Sequence, residues 1–268
     1  MKELNIAFIG AGNMTEALVA GLITSGHAAK QLSVSDISSA RLQYMQDHYD
    51  VHAETDNGKL ADQADVLVVA VKPQQVEKVL SALGTHIKKD TTLISIAAGV
   101  GSQALEEALV VEANWVRVMP NTPCLVGAGM SVLFSKAGEE HRKRAEYVLG
   151  CSGETAWVEK ESTLHAVTAV SGSGPAYFFL LAEVVQAAAE SLGIPKELAG
   201  KLATQTAVGS GRMLAESGRQ AAELRHQVTS PGGTTQAALD AMYDQGLPDA
   251  VRTGILAAEK RSRELEQE

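Results

Sequence analysis

Cysteine is nearly absent from this chain, which has only Cys124 and Cys151. Two thiols make no disulfide framework, and no Cys-x-x-Cys pair offers zinc a site. That usage suits a reducing compartment, so a cytoplasmic location is expected. Basic charge is also in deficit. The 23 Lys and Arg face 32 Asp and Glu, for a net charge of −9. Such a chain lacks the electrostatic footprint for nucleic acid or an anionic membrane, and neither is an expected partner. An anionic ligand must then be held by backbone groups or a few local cations. Long apolar runs are missing as well. The most apolar stretch, Phe178 to Ala189, is interrupted by Glu183 and Gln186 and reads as too short for a membrane span. The N-terminus enters a strand at once, without a basic and then apolar leader, so no signal peptide is expected. Familiar catalytic motifs are scarce too. There is no His-Glu-x-x-His, Gly-x-Ser-x-Gly or Walker sequence. His165 reads as packing or surface, and the two cysteines as small apolar fillers. The chemistry should therefore be one that a cofactor performs, with the protein supplying orientation.

What is present falls into two textures. Residues 1–160 alternate short β-rich runs with amphipathic helical runs, the pattern of βαβ units and a parallel sheet. Strands are expected at Leu4 to Ile9, Leu32 to Ser35, Val66 to Val71, Leu93 to Ile96 and Trp115 to Met119. A last pair is expected near Ser131–Phe134 and Thr155–Val158, around a helix at Glu139–Leu149. Pro73 marks a helix start, and Ser102 is expected to cap a helix whose first turn holds Glu106 and Glu107. From 161 to 268 the strand-like runs vanish. Helices are expected over roughly 161–192, 196–216, 220–228, 235–245 and 248–266. The fold class is thus α/β: an N-terminal Rossmann-type doubly wound sheet followed by an all-α domain. Phe178 to Leu192 is apolar on nearly every side. So short a helical domain cannot hide that surface alone, which favours a subunit interface.

The chemistry-bearing segments sit at the junctions of these elements. Gly10-Ala11-Gly12-Asn13-Met14-Thr15 follows the first strand and opens a helix, the place of a dinucleotide fingerprint. Thr15 stands where the third glycine would be. Asp36 ends the second strand, 24 residues after Gly12. It reads either as a ligand of the adenosine ribose hydroxyls or as a helix cap. Arg41 is the one nearby cation able to offset it. Lys72-Pro73, Ala97-Ala98-Gly99 and Met119 to Pro123 follow strand ends that face the ligand crevice of such sheets. In the helical half, Ser171 to Tyr177 and Thr229 to Thr235 are rich in glycine and proline, which are costly inside helices. Either they are plain interhelical loops, or the second is a nest of amides and hydroxyls for a carboxylate at a helix start.

Six segments together resemble the 1-pyrroline-5-carboxylate reductase family. They are Ile9 to Met14, Ala70 to Gln74, Ser95 to Val100, Arg117 to Pro123, Val170 to Tyr177 and Leu224 to Asp240. The last is the most specific, with Val-Thr-Ser-Pro-Gly-Gly-Thr-Thr at its centre. The resemblance implies hydride transfer from NADPH or NADH to 1-pyrroline-5-carboxylate, giving L-proline. It implies cofactor contacts at Gly10, Ala11, Gly12, Asn13, Met14, Asp36, Asn57, Val71, Lys72, Pro73 and Ala98. Substrate contacts would come from Val228, Ser230, Gly232, Gly233, Thr234 and Thr235, with Ser173 and Pro175 lining the pocket. Thr235 matches the threonine that hydrogen-bonds the ring nitrogen. The pyrroline would sit over the nicotinamide where the two domains meet. The C-terminal helices would interleave into a homodimer, with dimers assembling further to decamers. Three departures stand out: Thr15 for glycine or alanine, which predicts looser helix-to-strand packing; Asp36 for a polar or basic residue, which opens NADH use; and Gln220-Ala221 for a His-Pro pair, which leaves the local loop undefined. Two other readings remain, a 3-hydroxyacid dehydrogenase of similar architecture and a non-catalytic dinucleotide sensor. The dehydrogenase would need a lysine that is missing between His165 and Pro195.

Overall fold

The computed structural model describes residues 1–109 and 111–267. Two compact units emerge. One comprises Met1–Gly172 together with the chain from Ala258 onward, and the other Ser173–Ala257. The first unit holds eight strands, β1 (Ile6–Ile9), β2 (Leu32–Ser35), β3 (His52–Glu54), β4 (Val66–Val69), β5 (Thr92–Ser95), β6 (Asn114–Met119), β7 (Gly129–Phe134) and β8 (Gly153–Trp157). They form one sheet in the order β3-β2-β1-β4-β5-β6-β7-β8. All neighbours run parallel except β6 and β7, which pair antiparallel with Arg117 opposite Phe134. The helices interleaved with these strands are α1 (Asn13–Thr24), α2 (Ser39–Tyr49), α3 (Asn57–Ala61), α4 (Pro73–Leu83), α5 (Ser102–Ala108), α6 (Glu139–Gly150) and α7 (Thr163–Val167).

Strand side chains alternate between two cores, as the pleat demands. Ile6, Phe8, Val68, Ile94 and Val116 pack with Leu18 and Leu22 of α1, Met45 of α2 and Val148 of α6. Ala7, Ile9, Leu67, Val69, Leu93 and Trp115 pack with Val76 and Leu80 of α4 and Leu105 of α5. Strands covered on both faces read as continuous apolar runs, and β4 is one.

Several boundaries differ from the sequence expectation. The strand expected from Leu4 starts at Ile6, because Leu4 closes a turn onto the Met1 carbonyl and the Asn5 amide bonds the Asp65 carboxylate. The strand expected to Val71 ends at Val69. Ser102 does not cap α5. Gly101 takes the cap position, and the Ser102 hydroxyl donates instead to Glu161 Oε2 at 2.5 Å. Glu106 and Glu107 consequently lie beyond the first turn. Thr15 does not loosen α1. It is fully buried, and its hydroxyl donates to the Gly10 carbonyl at 2.6 Å, so a methyl and a hydrogen bond fill the space. The close approach of α1 is made at Gly21, where a Cβ would lie 2.6 Å from the Cys151 carbonyl oxygen.

The helical unit carries α8 (Gly174–Ser191), α9 (Lys196–Glu216), α10 (Ala221–Gln227), α11 (Thr234–Asp244) and the start of α12 (Leu247–Gln267), whose residues from Ala258 on belong to the first unit. The helix expected over 161–192 is divided into α7, a π turn at Thr168–Gly172 and α8. Helical backbone nevertheless continues through the Gly-Ser-Gly segment. Thr163–Ser191 is therefore long and apolar enough to cross a membrane by length and composition, contrary to the shorter run expected. Phe178, Phe179 and Leu180 stay 68%, 66% and 59% exposed. The Gln220-Ala221 departure is a well-made helix start: Gln220 caps α10, and Glu223 closes the capping box.

Candidate active site

The glycine turn after β1 leaves bare backbone at the start of α1. Gly10 has φ +97°, and a Cβ there would lie 2.6 Å from the Ala70 carbonyl oxygen, so only glycine fits. Gly12 caps α1 with open space where a Cβ would point. The first hydrogen bond of α1 runs from the Glu16 amide to the Gly12 carbonyl, leaving the earlier amides at the positive end of the helix. Ala11 is buried, while Asn13 is exposed and Met14 half-buried beside this opening.

Asp36 does more than either expected role. One carboxylate oxygen accepts from the Ala11 amide at 2.8 Å, and the other accepts from the Ser38 amide at 2.9 Å. The capping of α2 itself falls to Ser38. Asp36 thus ties the end of β2 to the glycine turn while staying half-exposed. Arg41 is less free than its sequence position suggests. Its Nε donates to the Ala11 carbonyl at 2.5 Å, and its guanidinium pairs with Glu16. Burial raises the Glu16 carboxyl, but hydrogen bonds from Arg41, Tyr44 and Tyr49 outweigh it and hold it below the usual carboxylate range.

The other expected cofactor contacts lie at the carboxyl ends of strands in this same unit. Asn57 opens α3, and its Oδ1 accepts from the Ser35 hydroxyl at 2.6 Å. Val71 is half-buried, Lys72 is the cap of α4 and Pro73 its first residue. Ala98 is exposed in the loop after β5. The Met119 to Pro123 loop is pinned by Asn121, which donates to Ser171 and accepts from the Met130 amide at 2.8 Å. Gly172 admits Met119, whose Cε would lie 2.3 Å from a Cβ there.

In the helical unit, Thr229 to Gly233 forms a turn ahead of α11, whose first residues are Thr234 and Thr235. Gly232 has φ +69°, and the Gly233 amide bonds the Ser230 carbonyl at 3.0 Å. The first hydrogen bond of α11 runs from Ala237 to Gly233, so the amides of Thr234, Thr235 and Gln236 precede it. Together with the Ser230, Thr234 and Thr235 hydroxyls, they make a donor-rich turn suited to an oxyanion. Val228 is exposed beside it, and Ser173 and Pro175 lie at the start of α8.

Sequence reading missed a buried polar cluster in the first unit. Arg117 of β6 pairs with both Glu161 and Glu266, at 2.8 Å to the latter. His165 bridges Ser262 Oγ at 3.1 Å and Glu266 Oε2 at 3.0 Å. A guanidinium on an otherwise apolar, buried strand was the available signal, since such a charge requires a partner. Burial pushes the Glu161 carboxyl up, and the Ser102 and Arg117 hydrogen bonds more than reverse this. Cys124 is buried and Cys151 half-buried, and burial pushes the Cys151 thiol up to about 12.

Known proteins give the same picture from outside. Residues 161–265 match the family model described as pyrroline-5-carboxylate reductase dimerisation, and residues 5–99 match NADP oxidoreductase coenzyme F420-dependent. A pyrroline-5-carboxylate reductase from Haemophilus influenzae is 40% identical, over 99% of either chain. The structure of one from Coxiella burnetii superposes with a TM-score of 0.93 at 38% identity, covering 98% of both chains. The Plasmodium falciparum pyrroline carboxylate reductase, solved with NADP bound, gives 0.87 at 29% identity over 99% of both. Full-length identity of this order, with the same fold throughout, shows that this chain belongs to the pyrroline-5-carboxylate reductase family.

Proposed function

We propose that the chain reduces 1-pyrroline-5-carboxylate to L-proline, the last step of proline biosynthesis, with NADPH or NADH as hydride donor. The observation that carries this reading is the Ser230 to Thr235 segment, whose unspent amides open α11 in a chain of net charge −9. The residues at the other end fit a dinucleotide. A pyrophosphate needs bare backbone at a helix start, and Gly10 and Gly12 supply it. Gly10, Ala11, Gly12, Asn13 and Met14 would hold the pyrophosphate, Asp36 and Asn57 the adenosine side, and Val71, Lys72, Pro73 and Ala98 the nicotinamide side. The dinucleotide supplies the hydride. The protein's own part is to bind, orient and exclude water. Ser230, Gly232, Gly233 and Thr234 would receive the carboxylate, and Thr235 would hydrogen-bond the ring nitrogen. Val228, Ser173 and Pro175 would line the pocket.

The boundary at residues 160 and 161, a homodimer through the C-terminal helices and its assembly to a decamer belong to this proposal. The boundary and the dimer are supported by the dimerisation match beginning at residue 161, and the dimer also by the exposed apolar side chains of α8. Burial in such an interface, rather than in lipid, is the covering we assign to the Thr163–Ser191 helical run. A cytoplasmic location fits the two free thiols.

The test is an assay of purified protein with 1-pyrroline-5-carboxylate and with 3-hydroxyisobutyrate, each with both dinucleotides. Turnover of the imine is expected. Oxidation of the hydroxyacid alone would sink the reading, and dinucleotide binding without turnover would favour a sensor.

A further inference from the structure

We infer that Glu266, near the end of α12, is a positioning residue that holds the nicotinamide-side loop in its working shape. This inference rests on the reading that Ala98 faces the nicotinamide. The loop from Ala97 to Gly101 carries no hydrogen-bonding side chain. Ala97 and Val100 pack against the core on one face of the sheet, and the rest of its path is bounded by neighbouring side chains.

One carboxylate bonds its far end and a second lies against its flank. At its far end, Glu161 accepts from the Ser102 amide at 2.6 Å and from the Ser102 hydroxyl at 2.5 Å. Along its flank lies the last turn of α12. A Cβ on Gly99 would stand 3.4 Å from Leu265 Cβ, and one on Gly101 would stand 3.0 Å from Glu266 Oε1. Gly99 has φ +74°, a path that glycine takes readily and that a side chain would oppose. Arg117 joins the two clamps, since the same Nη1 donates to Glu161 and to Glu266. His165 anchors the other oxygen of Glu266. A cavity of about 10 Å³, room for about one water, lies among Ala98, Gly99, Arg117, His165 and Ser262. The clamp therefore borders the very loop on which the nicotinamide would rest.

Glu266 touches neither substrate nor cofactor in this scheme. It acts by fixing backbone, and small errors of placement are costly for hydride transfer: about 1 Å can cost on the order of a hundredfold. Glu266→Ala is expected to lower kcat about tenfold and raise the dinucleotide KM about fivefold, a partial loss on that scale. The KM for 1-pyrroline-5-carboxylate should stay within about twofold, because its carboxylate is held elsewhere. Glu266→Gln keeps a hydrogen bond to His165 and should recover most of the loss.

The experiment measures these constants on the natural protein and both variants, with dinucleotide Kd by fluorescence and Tm by calorimetry. A fall in Tm with unchanged kinetic constants and Kd would overturn the inference and make the cluster merely structural. Should Glu266→Ala fail to fold, Ser102→Ala removes one clamp bond at the loop's end. It should move the dinucleotide KM and Kd in the same direction by a smaller factor, and no movement would overturn the idea equally. If the natural protein proved unable to reduce the imine, the proposed function would fall, yet the Kd comparison would still decide the role of Glu266.

Discussion

The two units solve the problem of burial in opposite ways. The α/β unit hides almost everything it has, with two cores on either face of one sheet. The helical unit fully buries little beyond Gly174, Ala199 and Ala203, and leaves a run of Phe, Leu and Val on α8 exposed. One unit is finished by its own chain. The other is finished only by a second surface, which is what a dimerisation match over this segment leads one to expect. The difference also divides the labour of the proposed reaction: a rigid sheet offers a dinucleotide its strand ends, and the unfinished unit offers a turn of amides.

The comparison breaks most visibly at α8. Phe178→Glu would place an unpaired charge in the proposed interface, at a cost of about 4 kcal/mol, or nearly a thousandfold in dimer Kd. Analytical ultracentrifugation should show monomers, while dinucleotide binding by the first unit should persist. Thr235→Ala comes next. Loss of a single hydrogen bond in the transition state should lower kcat/KM by about thirtyfold, near 2 kcal/mol, with dinucleotide Kd unchanged; undiminished turnover would remove Thr235 from the reaction. Asp36→Ala should act about tenfold, and in two directions. The ratio of kcat/KM for NADPH over NADH should rise as a repelling carboxylate is removed. Affinity for both should fall, because the Ala11 amide loses its acceptor. Comparing Asp36→Asn with Asp36→Ala separates the two effects. The smallest effect is in acid. Glu16 sits below its ordinary pKa, so its contribution is complete above that ordinary value and is lost as pH falls through the folded one. Glu16→Gln should remove on the order of 1 kcal/mol at neutral pH and flatten the acid limb of a stability–pH curve.

Legibility followed range. Strand β2 and helix α4 came out with the expected start, because an apolar run and a first-turn proline are local signals. The glycine turn was recognisable from a handful of neighbours. What escaped notice was non-local. The partners of Arg117 are 44 and 149 residues away, so no window of sequence could pair them. Ser102 looked like a cap because its neighbourhood permits one, and Glu161 took its hydroxyl instead. Thr15 looked like a defect where glycine was expected, yet its hydroxyl found the Gly10 carbonyl five residues back. The Asp36 readings were both chemically sound and both incomplete, since the Ala11 amide lies 25 residues away in sequence.

The strand order bears on how the chain assembles as it is made. Once β4 has joined the free edge of β1, every new strand joins the outer edge of the one before it, through to β8, so from there the sheet grows in one direction with no late insertion. A nascent chain would present a single growing edge, the state most exposed to mispairing with neighbouring chains. Arg117 would emerge long before Glu266, so its pairing with Glu161 could form first and that with Glu266 only once the last turn of α12 was translated. The clamp on the cofactor loop would thus form only after every strand of the sheet has been made.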